Sequence, residues 1–366
     1  MKHRFAAALL LVVASFAGAD EEHWELRLGP RIWGFNLGAR YMIEPATVET
    51  VETSITGLLS AAYQGVNYYR APDGALVTPD FPPDDTGYSR ADLIYELGLQ
   101  QGILPRADSE ADLAVGFLLY RGQYDYPFAN DTLFFQSPRP ETAGSWRGSF
   151  VGGAAYSSVT TDPVTRVTAG SRAELAIEWG PAFLHNQILG EADYNRTTLS
   201  ARAYAPLLTV VPTEGRNVFS SFLALYGEID WITGPEIPDI IRSTTGGRSM
   251  RPAPGGSIRG YGNGRFDSTF KIVTNADLRL MLPAIVLPSI VPGIVLYTDA
   301  GYFSDAERLS PNEADHSGFL LTSGAGLSID MFNAVALVFY TNYLWLEPSV
   351  SGDRWVPFGL GFGFHF

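Results

Sequence analysis

The segment from Trp355 to Phe366 alternates between apolar residues and small or polar ones. Its even positions are all apolar: Val356, Phe358, Leu360, Phe362, Phe364 and Phe366. Its odd positions carry mostly glycine, together with Pro357 and His365. Because successive side chains of a strand point to opposite faces, the pattern predicts a strand with one apolar, aromatic face. We expect all the even positions to share that face.

A second apolar stretch, Leu280 to Tyr297, contains no charged residue and at first resembles a membrane-spanning helix. It also contains Pro283, Pro288 and Pro292. Proline inside a helix costs about 3 kcal/mol, so three of them make a helix here improbable. The stretch is better interpreted as two strands that meet at a proline-rich turn.

The same patterns predict thirteen clear strands, the first from Arg31 to Met42, with Trp24 to Leu28 as either a further strand or a segment in an interior. Short connections alternate with long ones. The short ones are Thr161–Val164, Val211–Gly215, Pro283–Pro292 and Asp330–Asn333. The long ones are Ala71–Arg90, Gly122–Trp146, Thr233–Arg265 and Tyr302–Ser317. This alternation is typical of outer-membrane barrels, whose short turns are periplasmic. With both termini periplasmic, the strand number is even.

Composition agrees with a barrel. The chain is 46% hydrophobic and 17% charged, yet no segment reads as a spanning helix, which leaves a large soluble β-protein or a transmembrane β-barrel. The aromatic last strand favours the barrel, in which a lipid-facing band accounts for the apolar fraction. A net charge of -14 argues against nucleic acid as a partner. The absence of cysteine excludes disulfides and cysteine–zinc sites.

The first residues predict export. Met1 to Arg4 is basic, Phe5 to Phe16 is apolar, and Ala17-Gly18-Ala19 has the form of a signal-peptidase site. We therefore expect a signal peptide over residues 1–19 and a single transmembrane barrel domain over residues 20–366, located in the bacterial outer membrane and surrounded by its lipid.

Side-chain parity places charges on one face of two neighbouring strands. From Asp267 to Leu282, that face holds Lys271, Asn275, Asp277 and Arg279. From Ile294 to Phe303, it holds Tyr297, Asp299 and Gly301. A charge facing lipid at mid-bilayer costs a few kcal/mol, so these faces are predicted to line the lumen. Asp277 and Asp299 then point inwards side by side.

The long loop before these strands contains the glycine-rich segment Gly255 to Arg265. It lacks the Lys-Ser/Thr pair of a phosphate-binding P-loop. Its residues Ile258-Arg259-Gly260-Tyr261 match the Val-Arg-Gly-Phe/Tyr loop motif of the BamA-type surface-antigen superfamily, and Tyr297-x-Asp299-x-Gly301 matches that superfamily's Phe-x-Asp-x-Gly strand motif. The strand Asn275 to Arg279 also resembles a signature of that superfamily, so the chain is similar to it over Gly255 to Phe366.

That resemblance implies a barrel of sixteen strands, within a range of twelve to sixteen from the patterns alone, with the glycine-rich loop folded into the lumen. There Arg259 would meet Asp299, with Asp277 as a second candidate partner, while Tyr261 wedges against the wall. The alternative is that Arg259 is an ordinary solvated loop charge. Phe362, Phe364 and Phe366 resemble the C-terminal assembly signal of outer-membrane barrels.

Members of this superfamily include outer-membrane protein insertases and two-partner-secretion transporters, which carry periplasmic polypeptide-transport-associated domains. Only Asp20 to Arg31 precedes the first clear strand, so we expect no such domain and allow for a separate periplasmic partner chain. The resemblance implies help with insertion or translocation of client proteins. The alternative is a passive pore or structural barrel. The sequence has neither a Gly-x-Ser-x-Gly elbow nor an HExxH motif, so we expect no enzyme, metal or cofactor.

Overall fold

The structure, a computed structural model, describes most of the chain from residue 24 to residue 364. The described ranges are 24–31, 34–43, 53–68, 86–105, 112–128, 132–136, 140–162, 164–184, 192–210, 218–242, 258–261, 265–266, 268–285, 290–304, 318–331, 335–346, 349 and 352–364. The predicted signal peptide and Phe366 lie outside these ranges. Within them, no helix has the length and apolar character needed to cross a membrane.

The described residues form a single antiparallel sheet. Its strands are β1 (Trp24–Arg31), β2 (Gly34–Ile43), β3 (Thr53–Asn67), β4 (Gly87–Leu104), β5 (Ala114–Pro127), β6 (Ser145–Ser157), β7 (Thr160–Thr161), β8 (Thr168–Gly180), β9 (Asp193–Val210), β10 (Phe219–Glu236), β11 (Phe270–Met281), β12 (Ile290–Phe303), β13 (Phe319–Met331), β14 (Val335–Leu344) and β15 (Trp355–Phe364). Short helices lie in the connections at Leu133–Gln136, Pro140–Ala143, Ala182–Leu184 and Asp239–Arg242.

Fourteen of these strands pair in chain order, and β7 pairs only with β8. The first segment is a strand rather than a piece of chain in the interior, because β1 pairs with β2 from Trp24↔Tyr41 to Arg31↔Gly34. Fourteen lies within the expected range, and its even value puts the start of β1 and the end of β15 at the same end of the sheet. The apolar stretch from Leu280 is two strands, as its prolines predict, with β11 ending at Met281 and β12 starting at Ile290.

The two faces of the sheet differ sharply in chemistry. Large apolar side chains are exposed on the outer face of successive strands: Leu59, Leu97, Leu118, Leu175, Leu199, Leu225, Leu296 and Leu327. Charged side chains are buried on the inner face: Arg90, Asp92, Asp125, Arg147, Glu174, Glu178, Arg196, Glu228, Asp230, Lys271, Asp277 and Asp299. This is the alternation of a barrel that faces lipid outside and a polar interior inside.

The sheet curls around an interior. Leu133, in the connection after β5, packs in one apolar cluster with Val273 of β11, Phe303 of β12 and Leu320 of β13. Strands that far apart in the order share a cluster with that connection only if the two halves of the sheet face each other. The fold is therefore an antiparallel β-barrel with a lumen. Among the described residues, no hydrogen-bonded ladder joins β1 to β15.

The two ends of the barrel carry different connections. We call the loop end the one with the long connections 68–86, 128–144, 181–192, 237–269, 304–318 and 345–354. The turn end carries 44–52, 105–113, 158–167, 211–218, 282–289 and 332–334. The long connections predicted from the sequence all lie at the loop end, and the short ones all lie at the turn end.

One expectation about the last strand is wrong. The alternation predicts that Val356 shares the outer face with Phe358, but Val356 pairs with Asn342, which is buried on the inner face. The register shifts between Tyr340 and Asn342, so β15 has a bulge at Pro357 and Phe358 that reverses the parity. Proline cannot donate to the ladder and is tolerated at bulges. Phe358, which is 66% exposed, keeps its outward position.

Because the chain contains no cysteine, single cysteines can test which face meets lipid. Leu97 of β4 is 60% exposed on the outer face, whereas Gln100 of the same strand has inward parity. We expect a fluorophore on Leu97→Cys in lipid vesicles to be quenched strongly by nitroxide-labelled acyl chains, and one on Gln100→Cys to be quenched weakly. The reverse order would contradict the assignment of faces.

Candidate functional site

The site is built around Ile258–Tyr261, which lies in the long connection between β10 and β11. This segment contacts the inner faces of three strands, at Asp277 of β11, Asp299 of β12 and Asn342 of β14. It thus sits inside the barrel rather than outside the loop end. The glycine-rich loop is folded into the lumen over its described residues, 258–261 and 265–266.

Arg259 binds both inward aspartates. Its Nε donates to Asp299 Oδ2 at 2.8 Å and its Nη2 donates to Asp299 Oδ1 at 2.6 Å, which makes a bidentate pair. The backbone N–H of Arg259 also donates to Asp299 Oδ2, at 2.9 Å. Nη2 reaches Asp277 Oδ1 at 2.5 Å. Asp299 is 0% exposed, so Arg259 is not a solvated loop charge.

The pair is part of a longer chain of alternating charges. Arg279 of β11 donates from Nη2 to Asp277 Oδ2 at 3.0 Å, which leaves Asp277 between two guanidinium groups. Two arginines and two aspartates therefore balance each other along the inner wall. The Arg259 guanidinium also lies over the Tyr297 ring, 3.6 Å from its centroid. Stacking of this kind adds a favourable cation–π contact and screens the ion pair from water.

Gly301 is required because Ile258 fills the space where a side chain would be. A Cβ added at Gly301 would lie 2.0 Å from Ile258 Cδ1. Ile258 is buried and packs with Phe303, two residues further along β12. The glycine of the Tyr297-x-Asp299-x-Gly301 motif thus forms a socket for the residue before Arg259.

Gly260 is required for two reasons. Its φ of +93° lies in the left-handed region that favours glycine. A Cβ there would also lie 2.7 Å from Leu344 Cδ2 and 3.0 Å from Asn342 Cβ, on β14. The backbone therefore approaches the wall more closely than any other residue would allow. Ile258 therefore packs at Gly301 of β12, Arg259 pairs with aspartates of β11 and β12, and Gly260 lies against β14.

Tyr261 packs against the apolar cluster that contains Val273 of β11 and Phe303 of β12. Its ring makes an edge-to-face contact with Phe266, at 5.6 Å between centroids, and Phe266 in turn lies 5.7 Å from Phe303. The apolar cluster that these rings join also contains Leu133 from the connection between β5 and β6. Two connections of the loop end therefore meet inside the barrel and share an apolar core.

β14 also contributes to the site, although neither sequence motif indicates it. The Tyr297 hydroxyl donates to the Thr341 carbonyl at 3.1 Å and contacts Asn342 Oδ1. Asn342 and Leu344 are both fully buried on the inner face. The sequence does contain an indication of this contribution, because Asn342 is a polar residue in the largely apolar strand Val335–Leu344. Asn342 and Leu344 are two positions apart, so they share the inner face.

The proposed C-terminal assembly signal is only partly described. Phe362 and Phe364 lie in β15, where they pair with Leu337 and Val335 of β14. Phe366 lies outside the described residues. The structure therefore places two of the three phenylalanines in the last ladder.

Other charges on the inner wall form a second network. Arg196 binds Asp230 through Nε at 2.8 Å and Nη2 at 2.9 Å, while Lys271 Nζ stands 3.7 Å from the same carboxylate. A third group of charges on β4 to β6 includes Arg90 Nε, 2.6 Å from Asp92 Oδ1. Among the described residues, no group of three or more histidine, cysteine or acidic side chains is arranged to hold a metal ion.

The barrel architecture is similar to that of a solved structure. The structure of BamA from Haemophilus ducreyi lacking POTRA domains 1-3 superimposes with a TM-score of 0.56 at 16% sequence identity, over 92% of this chain and 63% of that one. The chain described here has the BamA-type barrel fold. CdiB from Acinetobacter baumannii is also similar, with a TM-score of 0.49 and 15% identity over 90% of this chain and 50% of that one. No protein-family model and no curated protein matches the sequence.

In this BamA-type barrel, we expect Arg259→Ala to lower the temperature at which the folded form is lost in a gel-shift assay. The loss should correspond to about 3 to 5 kcal/mol, because Asp299 is left as a buried, unpaired charge. Asp299→Ala should act similarly, and the double variant should be little worse than either.

The matched control for Arg259→Ala is Arg121→Ala. Arg121 pairs with Glu96 at 3.2 Å on the opposite part of the wall, where both side chains keep about a fifth of their exposure. Its removal should cost about 1 kcal/mol or less. Additive losses from Arg259→Ala and Asp299→Ala would show that the two residues do not act as a pair.

We also expect Gly301→Ala to destabilise the folded barrel by about 1 to 3 kcal/mol, since the added methyl group overlaps Ile258. Adding Ile258→Ala should recover part of the loss, because it empties the occupied socket. Gly227→Ala is the control, since a Cβ at Gly227 meets nothing within 4 Å. The same gel-shift assay measures all of these variants, and a failure of Ile258→Ala to rescue would contradict the socket.

Proposed function

We propose that the protein is an outer-membrane barrel that assists the insertion or translocation of client proteins. The observation that carries the proposal is the Arg259 segment bound to Asp299 and Asp277 inside a BamA-type barrel. In this proposal residues 1–19 are a signal peptide, the outer face meets outer-membrane lipid, and the protein is not an enzyme.

The seated segment supports a closed resting state. It ties the connection between β10 and β11 to the wall through ion pairs, and Phe266 and Leu133 add an apolar core across the interior. A solute path through the loop end would have to displace both sets of contacts. A barrel of this kind is better suited to guiding polypeptide along its wall than to passing solutes freely.

The last strand supports a wall that opens. Gly359, Gly361 and Gly363 lie in β15 opposite residues of β14, and glycine weakens strand pairing. The bulge at Pro357 interrupts the same ladder. We propose that the seam between β1 and β15 opens to expose strand edges, which a client strand would pair with by adding to the sheet.

The clients in this proposal are outer-membrane or secreted polypeptides, and nucleic acid is not a partner. A separate periplasmic chain would capture the clients and deliver them to the turn end. A pull-down from cell envelopes with the intact barrel would identify such a chain.

Depletion tests the insertion role. We expect loss of the protein to lower the outer-membrane level of at least one barrel or secreted protein, and complementation with the intact chain to restore it. Complementation with Arg259→Ala should restore less, whereas Arg121→Ala should restore fully. Unchanged levels of every outer-membrane protein would overturn the role.

A passive pore is the second candidate, and the charged inner wall of β8 to β11 favours it, because buried pairs such as Arg196–Asp230 suit a polar channel. Planar-bilayer conductance separates the two functions. A steady, wide conductance in the intact protein would support the pore. Closed behaviour that becomes conducting only in Arg259→Ala would support the proposed function.

A further inference from the structure

The turn between β7 and β8, described at residue 162 and residues 164–167, lies at the turn end and is folded into the lumen. Val167 packs with Phe222, Met281 and Val291 in one apolar cluster on the inner faces of β10 to β12. The Thr165 carbonyl accepts a 2.6 Å hydrogen bond from Ser220 Oγ at the start of β10. The turn therefore reaches past β9 and lies against β10 to β12.

The turn is braced by its own acidic residue. Asp162 Oδ1 accepts hydrogen bonds from the backbone N–H groups of Val164 at 2.8 Å and Thr165 at 2.7 Å. The hydrogen bond from the Thr165 backbone, reinforced by that from Val164, lowers the pKa of Asp162 despite a small opposing effect of burial. Asp162 Oδ1 is therefore committed to the backbone of the turn.

The neighbouring cation is Arg166, which is only 8% exposed. Its Nη1 is buried without a hydrogen-bond partner, and no described residue forms an ion pair with it. A buried guanidinium with an unsatisfied N–H is costly, because it has lost water and gained no acceptor. By contrast, carboxylates on the inner wall bind Arg196, Arg259 and Arg279.

A second guanidinium at the turn end also has a nitrogen without a hydrogen-bond partner. Arg202 of β9 keeps a buried Nε without a partner, and the ladder places Arg172 of β8 directly opposite it. Arg172 is occupied by Glu174, at 2.6 Å. Tyr204, two residues beyond Arg202 on the same face of β9, packs against the Val167 cluster. Unused cationic N–H groups and apolar side chains therefore occur together at the turn end.

We propose that Arg166, in the turn between β7 and β8, forms an oxyanion-binding site, in which its guanidinium binds the carboxylate or phosphate group of a solute that enters the lumen from the turn end. The guanidinium supplies the charge and the forked N–H groups that such an anion requires. The apolar part of the same solute packs against Tyr204, which is only partly buried and lies against the Val167 cluster. The site is separate from the Arg259 segment, so its failure leaves the proposed function untouched.

Calorimetric titration of the detergent-solubilised full chain tests the site with two probes, inorganic phosphate and hexanoate, at constant ionic strength. We expect Arg166→Gly to weaken binding at least about tenfold, which corresponds to about 1.4 kcal/mol. Glycine is the informative replacement because Arg166 has a φ of 62°, in the left-handed region, so the turn keeps its shape. Val164→Thr is the control, because Val164 is in the same turn and is 62% exposed. We expect this variant to bind both probes as the intact protein does.

The two probes identify the source of the anion. Tighter binding of hexanoate supports a carboxylate with an apolar tail, and Tyr204→Ser should then weaken the binding of hexanoate alone. Tighter binding of phosphate supports a phosphate-bearing solute. No binding of either probe to the intact protein, or equal binding by Arg166→Gly, would overturn the proposal.

Discussion

The bidentate contact between Arg259 and Asp299 is the constraint around which the neighbouring residues of the site are arranged. Both groups have left water, so the pair is stable only if the guanidinium fork meets the carboxylate at hydrogen-bond distance. Reaching that distance requires the loop backbone to approach the wall. Gly301 and Gly260 permit the approach at β12 and β14, and each would clash if it carried a side chain. The glycines are thus consequences of the ion pair rather than independent features.

The same constraint accounts for the choice of cation. Around Asp230, Arg196 forms two hydrogen bonds, while Lys271 stands 3.7 Å away from the same carboxylate. A fork satisfies both oxygens of a buried carboxylate, whereas an ammonium group acts as a compact point charge. The sequence contains only Lys2 and Lys271 as lysines, and the inner wall shows at least one setting in which arginine makes the better contact.

Local periodicity was enough to predict much of the wall but little of what fills it. Parity alone placed Asp277 and Asp299 on the inner face, because the strands that carry them run without a bulge. It failed at Val356, where the bulge at Pro357 reverses the alternation. Side-chain parity also cannot predict contacts between segments that are distant in the sequence. The meeting of Leu133 with Ile258 depends on how far the sheet curls, and no spacing along the chain encodes that distance.

The contacts in the interior also determine which part of the barrel can move at the lowest free-energy cost. At the loop end, displacement of the Arg259 segment would break charged hydrogen bonds and expose the apolar cluster shared with Leu133 at the same time. Such coupled contacts resist partial opening, since losing one set leaves the other exposed to water or unpaired. The ladder between β14 and β15 contains three glycines and a bulge, which weaken its pairing. The proposed opening of the seam next to β15 therefore requires fewer contacts to break than a displacement of the Arg259 segment would.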